Sequence, residues 1–310
     1  MARDLFAFLV FPGFLFAGAL GLVASWVDRK VTARLQWRVG PPLAQPVYDL
    51  VKLLGKEIIL PRGGSHVLFL LAPLLGLVAV SIVSSMLWLG GVLGGSFVGD
   101  LIVAVYLLMV PSLGVMLGGL ASGNPLAATG SSREMKLVLS YELPFLISLA
   151  TVILKAGGSL RLAEIANVRV AASISGALAF IVALLCVQAK LAFIPFDVSE
   201  AETEIMGGTT VEYSGAPLAM LRLTQAMLLI TLPVFLSVTY LGGLRFQGWG
   251  ILWAVLKCVG ILVLIIVIKN TNPRVRTDQA LRFFWRAIAP LGVVSFVLAL
   301  VGQILGIGWL

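Results

Sequence analysis

The sequence holds one histidine, His66, and two cysteines, Cys186 and Cys258, in 310 residues. It has no Cys-x-x-Cys pair, so a four-thiolate iron–sulfur cluster or a zinc site cannot be assembled from this chain alone. Both cysteines sit inside apolar runs, where a free cysteine behaves as a small hydrophobe. Charge is equally scarce. Asp, Glu, Lys and Arg make up 12% of the chain, against about a quarter in soluble domains. The net charge of +8 is not gathered into a basic stripe interleaved with aromatics, so no nucleic-acid partner is expected.

What fills the chain instead is hydrocarbon: 60% of residues are hydrophobic and the mean hydropathy is +1.06. Several apolar runs reach the roughly 20 residues a helix needs to cross a bilayer. In lipid the backbone must bond within itself, which leaves helices or a closed barrel. The runs are continuous rather than alternating, so the expected fold is all-α, a single polytopic membrane domain over 1–310. Eight spans are predicted near 5–27, 66–89, 97–120, 137–154, 172–194, 217–241, 249–268 and 287–305. The first run is too long for a signal segment and lacks a small-residue cleavage site, so it reads as a retained helix.

Lys and Arg set the predicted orientation. With the segment after the first span inside, fourteen cationic residues fall on inside loops and five outside, a positive-inside bias. The expected location is a bacterial or archaeal cytoplasmic (inner) membrane, with both termini outside. Two inside segments read as surface helices. In 44–60, Val47, Leu50, Val51, Leu54 and Ile58 recur at helical spacing, as in an interfacial amphipathic helix. A second, shorter one is expected over 277–286.

Three places carry concentrated charge. The loop 195–216 contains Asp197, Glu200, Glu202, Glu204 and Glu212 and no Lys or Arg among them. Such crowding raises at least one carboxyl pKa if the segment is partly buried. Helical geometry over this stretch would put Glu200 and Glu204 on one face. A merely solvated acidic loop is the competing reading, but Pro195, Phe196, Ile205, Met206 and Tyr213 among the acids suit a packed segment. Glu142, in Ser140-Tyr141-Glu142-Leu143-Pro144, lies toward the inside end of an apolar span. Intramembrane acids are proton-relay candidates, with a structural carboxyl as the alternative. Third, the first inside loop carries Arg29, Lys30, Arg34 and Arg38, and the amphipathic segment Asp49, Lys52, Lys56 and Glu57. These residues are either positive-inside anchors or a docking surface. Lys190 and Arg222 flank the acidic loop, where a lysine can neutralise a glutamate or take its proton.

Taken in order, the first-loop pattern Arg34-x-Gln36-x-Arg38-x-Gly40-Pro41, the Ser140–Pro144 stretch and Pro195-Phe196-Asp197 through Glu200-Ala201-Glu202-Thr203-Glu204 with Glu212-Tyr213-Ser214-Gly215 resemble the membrane H subunit of respiratory complex I, the NADH dehydrogenase subunit one family. The resemblance covers most of the chain. It implies a non-catalytic coupling subunit that joins a redox arm to the membrane arm. The proton path would run through Glu142, Glu200, Glu202, Glu204, Glu212, Asp197 and Lys190. Arg29, Lys30, Arg34, Arg38, Asp49, Lys52, Lys56 and Glu57 would face the redox arm. The family's usual Glu-Thr-Asn-Arg stretch is replaced by Lys190-Leu191-Ala192-Phe193, and a further family acid aligns with Gln225. These departures are closer to the equivalent subunit of energy-converting membrane-bound nickel–iron (NiFe) hydrogenases, CO-linked or ferredoxin-linked. That likeness implies hydrogenase large and small subunits, an iron–sulfur subunit and antiporter-like membrane subunits as partners. It puts iron–sulfur clusters and a NiFe centre in those partners and no cofactor in this chain. The alternatives are the quinone-site subunit of a complex I, a stand-alone secondary transporter and a passive anchor. A transporter would show inverted repeats, and the chain has no halves of matching pattern.

Overall fold

The computed structural model describes residues 2–91, 94–96, 98–244, 246 and 248–309; the side chains of residues 2–5, 202 and 203 fall outside that description. The described residues form helices and loops, with no strand. Seven helices among them are long and apolar enough to cross a membrane, or eight if one bent pair counts as a span.

Four elements match the apolar runs closely: α4 (His66–Gly91), α5 (Asp100–Ala121), α10 (Gly215–Tyr240) and α11 (Gly250–Thr271). The others depart from the predicted bounds for identifiable reasons. The first span is split into α1 (Ala2–Leu9) and α2 (Phe14–Leu35). Pro12, which has no backbone N–H to donate, lies in the break. Helix α2 then runs past the predicted end at 27, so Asp28, Arg29, Lys30 and Arg34 are helical rather than in a loop. The surface helix α3 is shorter than predicted, Gln45–Leu54, and 55–60 is irregular. Helix α6 (Pro125–Lys155) begins well before the predicted 137. Asn124 caps it, its side chain accepting the Leu126 N–H, and Pro125 sits in the first turn, where its missing N–H costs nothing.

The fifth span is a bent pair. The stretch Leu162–Ala172, containing the short α7 (Leu162–Ile165), meets α8 (Ile174–Lys190) at 107°. Ser173 caps α8 by accepting the Gly176 N–H, and the helix ends at Lys190 rather than at 194. The predicted separate surface helix at 277–286 is not separate. Helix α12 (Thr277–Phe283) passes through a π-turn at Phe284–Ile288 into α13 (Ala289–Ile304). The small α9 (Glu202–Ile205) lies in the acidic loop.

Helix α10 is the hub, packed on α2, α3, α4 and α11, while α6, α8 and α13 form an adjoining group. Lipid provides no hydrophobic drive between helices, so close approach at small residues matters. A Cβ on Gly21 of α2 would lie 2.7 Å from the Ala226 carbonyl of α10, and one on Gly114 of α5 would lie 2.7 Å from the Ala72 carbonyl of α4.

The loop between α8 and α10 is packed, not solvated. Phe196, Val198, Ser199, Ala201, Ile205 and Tyr213 are buried. Phe196 packs against Phe284 of the π-turn, ring centroids 4.8 Å apart and tilted by 45°, and Val275 N–H donates to the Pro195 carbonyl. Tyr213 lies flat on Phe69, ring centroids 4.1 Å apart, and donates to the Phe69 carbonyl at 3.0 Å. Gly130 of α6 lets the loop backbone approach: a Cβ there would lie 2.8 Å from both the Ser199 carbonyl and the Thr209 nitrogen. Gly130→Val is therefore expected to lower stability by about 1–3 kcal/mol and to make residues 199–209 accessible to protease. Thermal unfolding and limited proteolysis in detergent would measure both. Gly260→Val, where a Cβ meets nothing within 4 Å, is the control and should leave both unchanged.

Candidate functional site

Each described acid of the loop has a partner outside the loop. Asp197 Oδ2 is 2.8 Å from Arg274, in the segment between α11 and α12. Glu204 Oε2 is 2.5 Å from Arg133 of α6. Glu200 Oε2 is 4.0 Å from Arg222 of α10. Glu212 Oε1 accepts from Asn124, the residue that caps α6. The cations missing from the loop sequence are thus supplied by its surroundings. Glu202, expected among these acids, has its side chain outside the described residues.

One expectation fails here. Glu200 and Glu204 do not share a helical face, because only Glu202–Ile205 is helical. Ala201 is extended ahead of that turn, and Met206 (φ +53°) with Gly207 (φ +94°) ends it at once. Glu200 turns inward, with its side chain one-fifth exposed. Glu204 stays at the surface.

Behind the loop, Lys190 at the end of α8 donates to Glu142 Oε2 at 2.6 Å. The lysine side chain is buried, and the ammonium also lies 5.0 Å from the Tyr141 ring centre and 4.8 Å from that of Phe145. A cation over a ring face in a desolvated site is attracted by its quadrupole. Both halves of the pair were expected as site residues, and the structure joins them to each other rather than joining Lys190 to the loop.

The segment expected to dock a partner lies on the same side of the bundle. Arg34, Arg38, Lys52, Lys56 and Glu57 are exposed and Lys30 is half-buried. Arg29 is turned back onto Asp49 at 2.5 Å. That hydrogen bond, helped by one from Gln45, holds the Asp49 carboxyl below its ordinary range against the opposing effect of partial burial. Trp37 is 98% exposed at the tip of the α2–α3 connection. Most of the apolar residues of α3, including Val47, Val51 and Leu54, face outward, as in a helix lying on a lipid surface. Ser214 ties the acidic loop to this segment, donating to the Glu57 carbonyl and accepting the Ile59 N–H. Burial pushes the Tyr213 phenol above its ordinary pKa.

Three charged residues not picked out above belong to this region. Asp28 of α2 is buried and pairs with Lys269 of α11 at 2.8 Å, and Lys269 sits 4.2 Å from the Phe193 ring centre. The third, Glu134 on α6, is 3% exposed. The spacing of Glu134, Val138, Tyr141 and Phe145, all on one side of a helix, was the signal for its burial. A cavity of about 350 Å³ opens between α2, α3 and α10, lined by Asp28, Arg29, Asp49, Phe193, Arg222 and Gln225 among others. A smaller one of about 50 Å³ lies beneath the acidic loop.

Residues 7–300 match the family model described as NADH dehydrogenase. The chain is 34% identical over 289 residues to the H subunit of the NADH-quinone oxidoreductase of Geobacillus kaustophilus, an alignment covering 88% of this chain and 86% of that one. It is 33% identical over 320 residues to the H subunit of the same enzyme from Thermomicrobium roseum, covering 93% and 94%. Among solved structures it is similar to a chain of the membrane-bound sulfane sulfur reductase, an archaeal respiratory membrane complex, with a TM-score of 0.84, 26% identity and 96% of this chain and all of that one covered. With three signature stretches in order and the whole bundle matched, this chain belongs to the NADH dehydrogenase subunit one family, as the membrane H subunit of a complex I-like respiratory complex.

Proposed function

We propose that this subunit couples ferredoxin-driven hydrogen evolution, in the peripheral arm of an energy-converting NiFe hydrogenase, to proton or sodium translocation by antiporter-like subunits in the same membrane. The observation that carries the coupling role is the buried Lys190–Glu142 pair beneath a loop whose described acids are each held by a residue of another helix or connection. A unit charge 4 Å from a carboxyl contributes about 4 kcal/mol at an effective dielectric of 20. One pKa unit corresponds to about 1.36 kcal/mol. A docked redox arm that brought a charge change that close would therefore reprotonate an acid of the loop, and the pair behind it would receive the effect. Iron–sulfur clusters and the NiFe centre belong, in this reading, to the hydrogenase large and small subunits and an iron–sulfur subunit. The exposed cations of α2 and of 52–56, with Glu57, form the docking face, and that side of the bundle faces the cytoplasm. The hydrogenase assignment rests on Lys190, Phe193 and Gln225, which depart from the family pattern linked to quinone.

The cavity between α2, α3 and α10 favours a second reading, the quinone-site subunit of a complex I-type enzyme. Purified complex separates the two. Hydrogen evolution from reduced ferredoxin without added quinone is expected. Inhibitor-sensitive quinone reduction in its place would overturn the hydrogenase assignment.

The ion pair generates its own prediction. Removing one partner leaves a buried charge uncompensated, at a cost of about 3–5 kcal/mol, while replacing both is far milder. Lys190→Met should therefore destabilise the subunit more than Lys190→Met combined with Glu142→Gln. Both should lose coupled ion movement. Thermal denaturation and ion uptake by sealed vesicles measure the two effects. Full ion movement by Glu142→Gln would remove Glu142 from the path.

A further inference from the structure

Glu134 is a deeply buried acid near the acidic loop that the resemblance does not account for. It lies on α6 eight residues before Glu142, about 12 Å along the axis. The Ser199 hydroxyl from the loop and the Ser112 hydroxyl from α5 hydrogen-bond its carboxyl group. Its Oε2 is buried and has no hydrogen-bond partner. Leaving a buried oxygen without a partner is costly. A side chain present only to anchor Ser199 would not need it, since a hydroxyl or an amide serves as well.

The cavity of about 50 Å³ gives that oxygen a purpose. Its wall includes Glu134, Ser112, Ser199, Lys190, Glu200 and Arg222. A site needs roughly 10–15 Å³ and two to four polar partners to hold a water, so this one has both the room and the lining for water. The same pocket therefore touches the inward-turned loop acid, the buried orphan carboxyl and the lysine that holds Glu142.

We infer that Glu134 is a proton carrier between Glu200 and the Lys190–Glu142 pair, working through water in this pocket. In the first step the O–H bond of protonated Glu200 breaks and, through water, an O–H bond forms on the Glu134 carboxylate. In the second step Lys190, which lines the pocket, breaks an N–H bond to form an O–H bond on Glu142, and regains an N–H bond through the pocket water as the O–H bond of Glu134 breaks, so Glu142 becomes neutral and Glu134 returns to the anion. One proton enters and one leaves at each step. Arg222 faces Glu200, so a cation stands beside that acid as it becomes an anion, and Lys190 touches both the pocket and Glu142. Ser199 makes the relay depend on the loop, because the loop holds one of the hydrogen bonds that orient Glu134.

This inference rests on the coupling role proposed above, and its test separates the two. Ion uptake would be followed in sealed vesicles containing the assembled complex and supplied with reduced ferredoxin, for Glu134→Gln, Glu134→Asp and Glu142→Gln. Glutamine keeps the shape and the hydrogen bonds but cannot carry a proton. Glu134→Gln should slow coupled ion uptake by about a hundredfold, the low end for loss of a positioned proton-transfer group. Aspartate should restore part of that rate with a displaced pH profile. Full uptake by Glu134→Gln alongside a defective Glu142→Gln would overturn the Glu134 relay and leave the coupling role standing. Full uptake by both would overturn the coupling role as well. If Glu134→Gln does not assemble, Glu134→Asp decides: a reduced rate with a displaced pH profile supports the relay, and an unchanged rate and profile overturn it.

Discussion

An ammonium group taken out of water must be compensated where it ends up, and Lys190 is compensated by one carboxylate and two aromatic faces. The arrangement around it follows from that requirement. Helix α6 must run unbroken past Pro144 to present Tyr141, Glu142 and Phe145 together. The bend ahead of α8 sets the helix that brings Lys190 to their level. The acidic loop then leaves α8 directly after the lysine and folds back over it. Tyr141, itself fully buried, also meets Phe284 of the π-turn, and π-turns inside helices are frequent at functional sites. Phe284 in turn packs on Phe196 of the loop. The buried cation and the surface acids are thereby parts of one packed unit.

The loop works as a strap with several fasteners. Its acids reach α6, α10 and the α11–α12 connection, and Ser214 and Tyr213 reach the segment after α3 and the start of α4. Exposed ion pairs contribute little stability individually, and the Glu204–Arg133 pair is of that kind on its acid side. The apolar and aromatic contacts hold the strap, and the ion pairs set its electrostatics. Protonating one acid removes an ion pair that ties the strap to another element.

The membrane character was legible because lipid imposes long uninterrupted apolar runs, and the eight predicted spans correspond to seven long helices and one bent pair among the described residues. Helix ends were less so. Arg133, Glu134 and Lys136 read as a loop by charge, yet α6 runs straight through them, with Arg133 answered by Glu204 and Glu134 covered by Ser199. That compensation comes from a segment far along the chain, and no local pattern announces it. The loop acids, Glu142 and Lys190 stood out singly because charge is rare here. Their pairing depended on where α8 bends. Asp28 and Lys269 escaped notice for the same reason: each resembles an ordinary helix-end charge until α2 and α11 are laid side by side. The helical reading of Glu200 and Glu204 failed because the backbone around Ala201 and Met206 leaves space for only one turn.

The relatives from Geobacillus kaustophilus and Thermomicrobium roseum are named for quinone, and the similar solved structure belongs to a sulfane sulfur reductase. One helical bundle is thus shared by respiratory complexes named for different substrates. The most direct measurement is the redox-induced infrared difference spectrum of the assembled complex, with and without Glu142→Gln. The account predicts that electron delivery to the peripheral arm changes a carboxyl band, and that this change is lost with Glu142. A spectrum in which reduction leaves every carboxyl band of the membrane arm unchanged would contradict it.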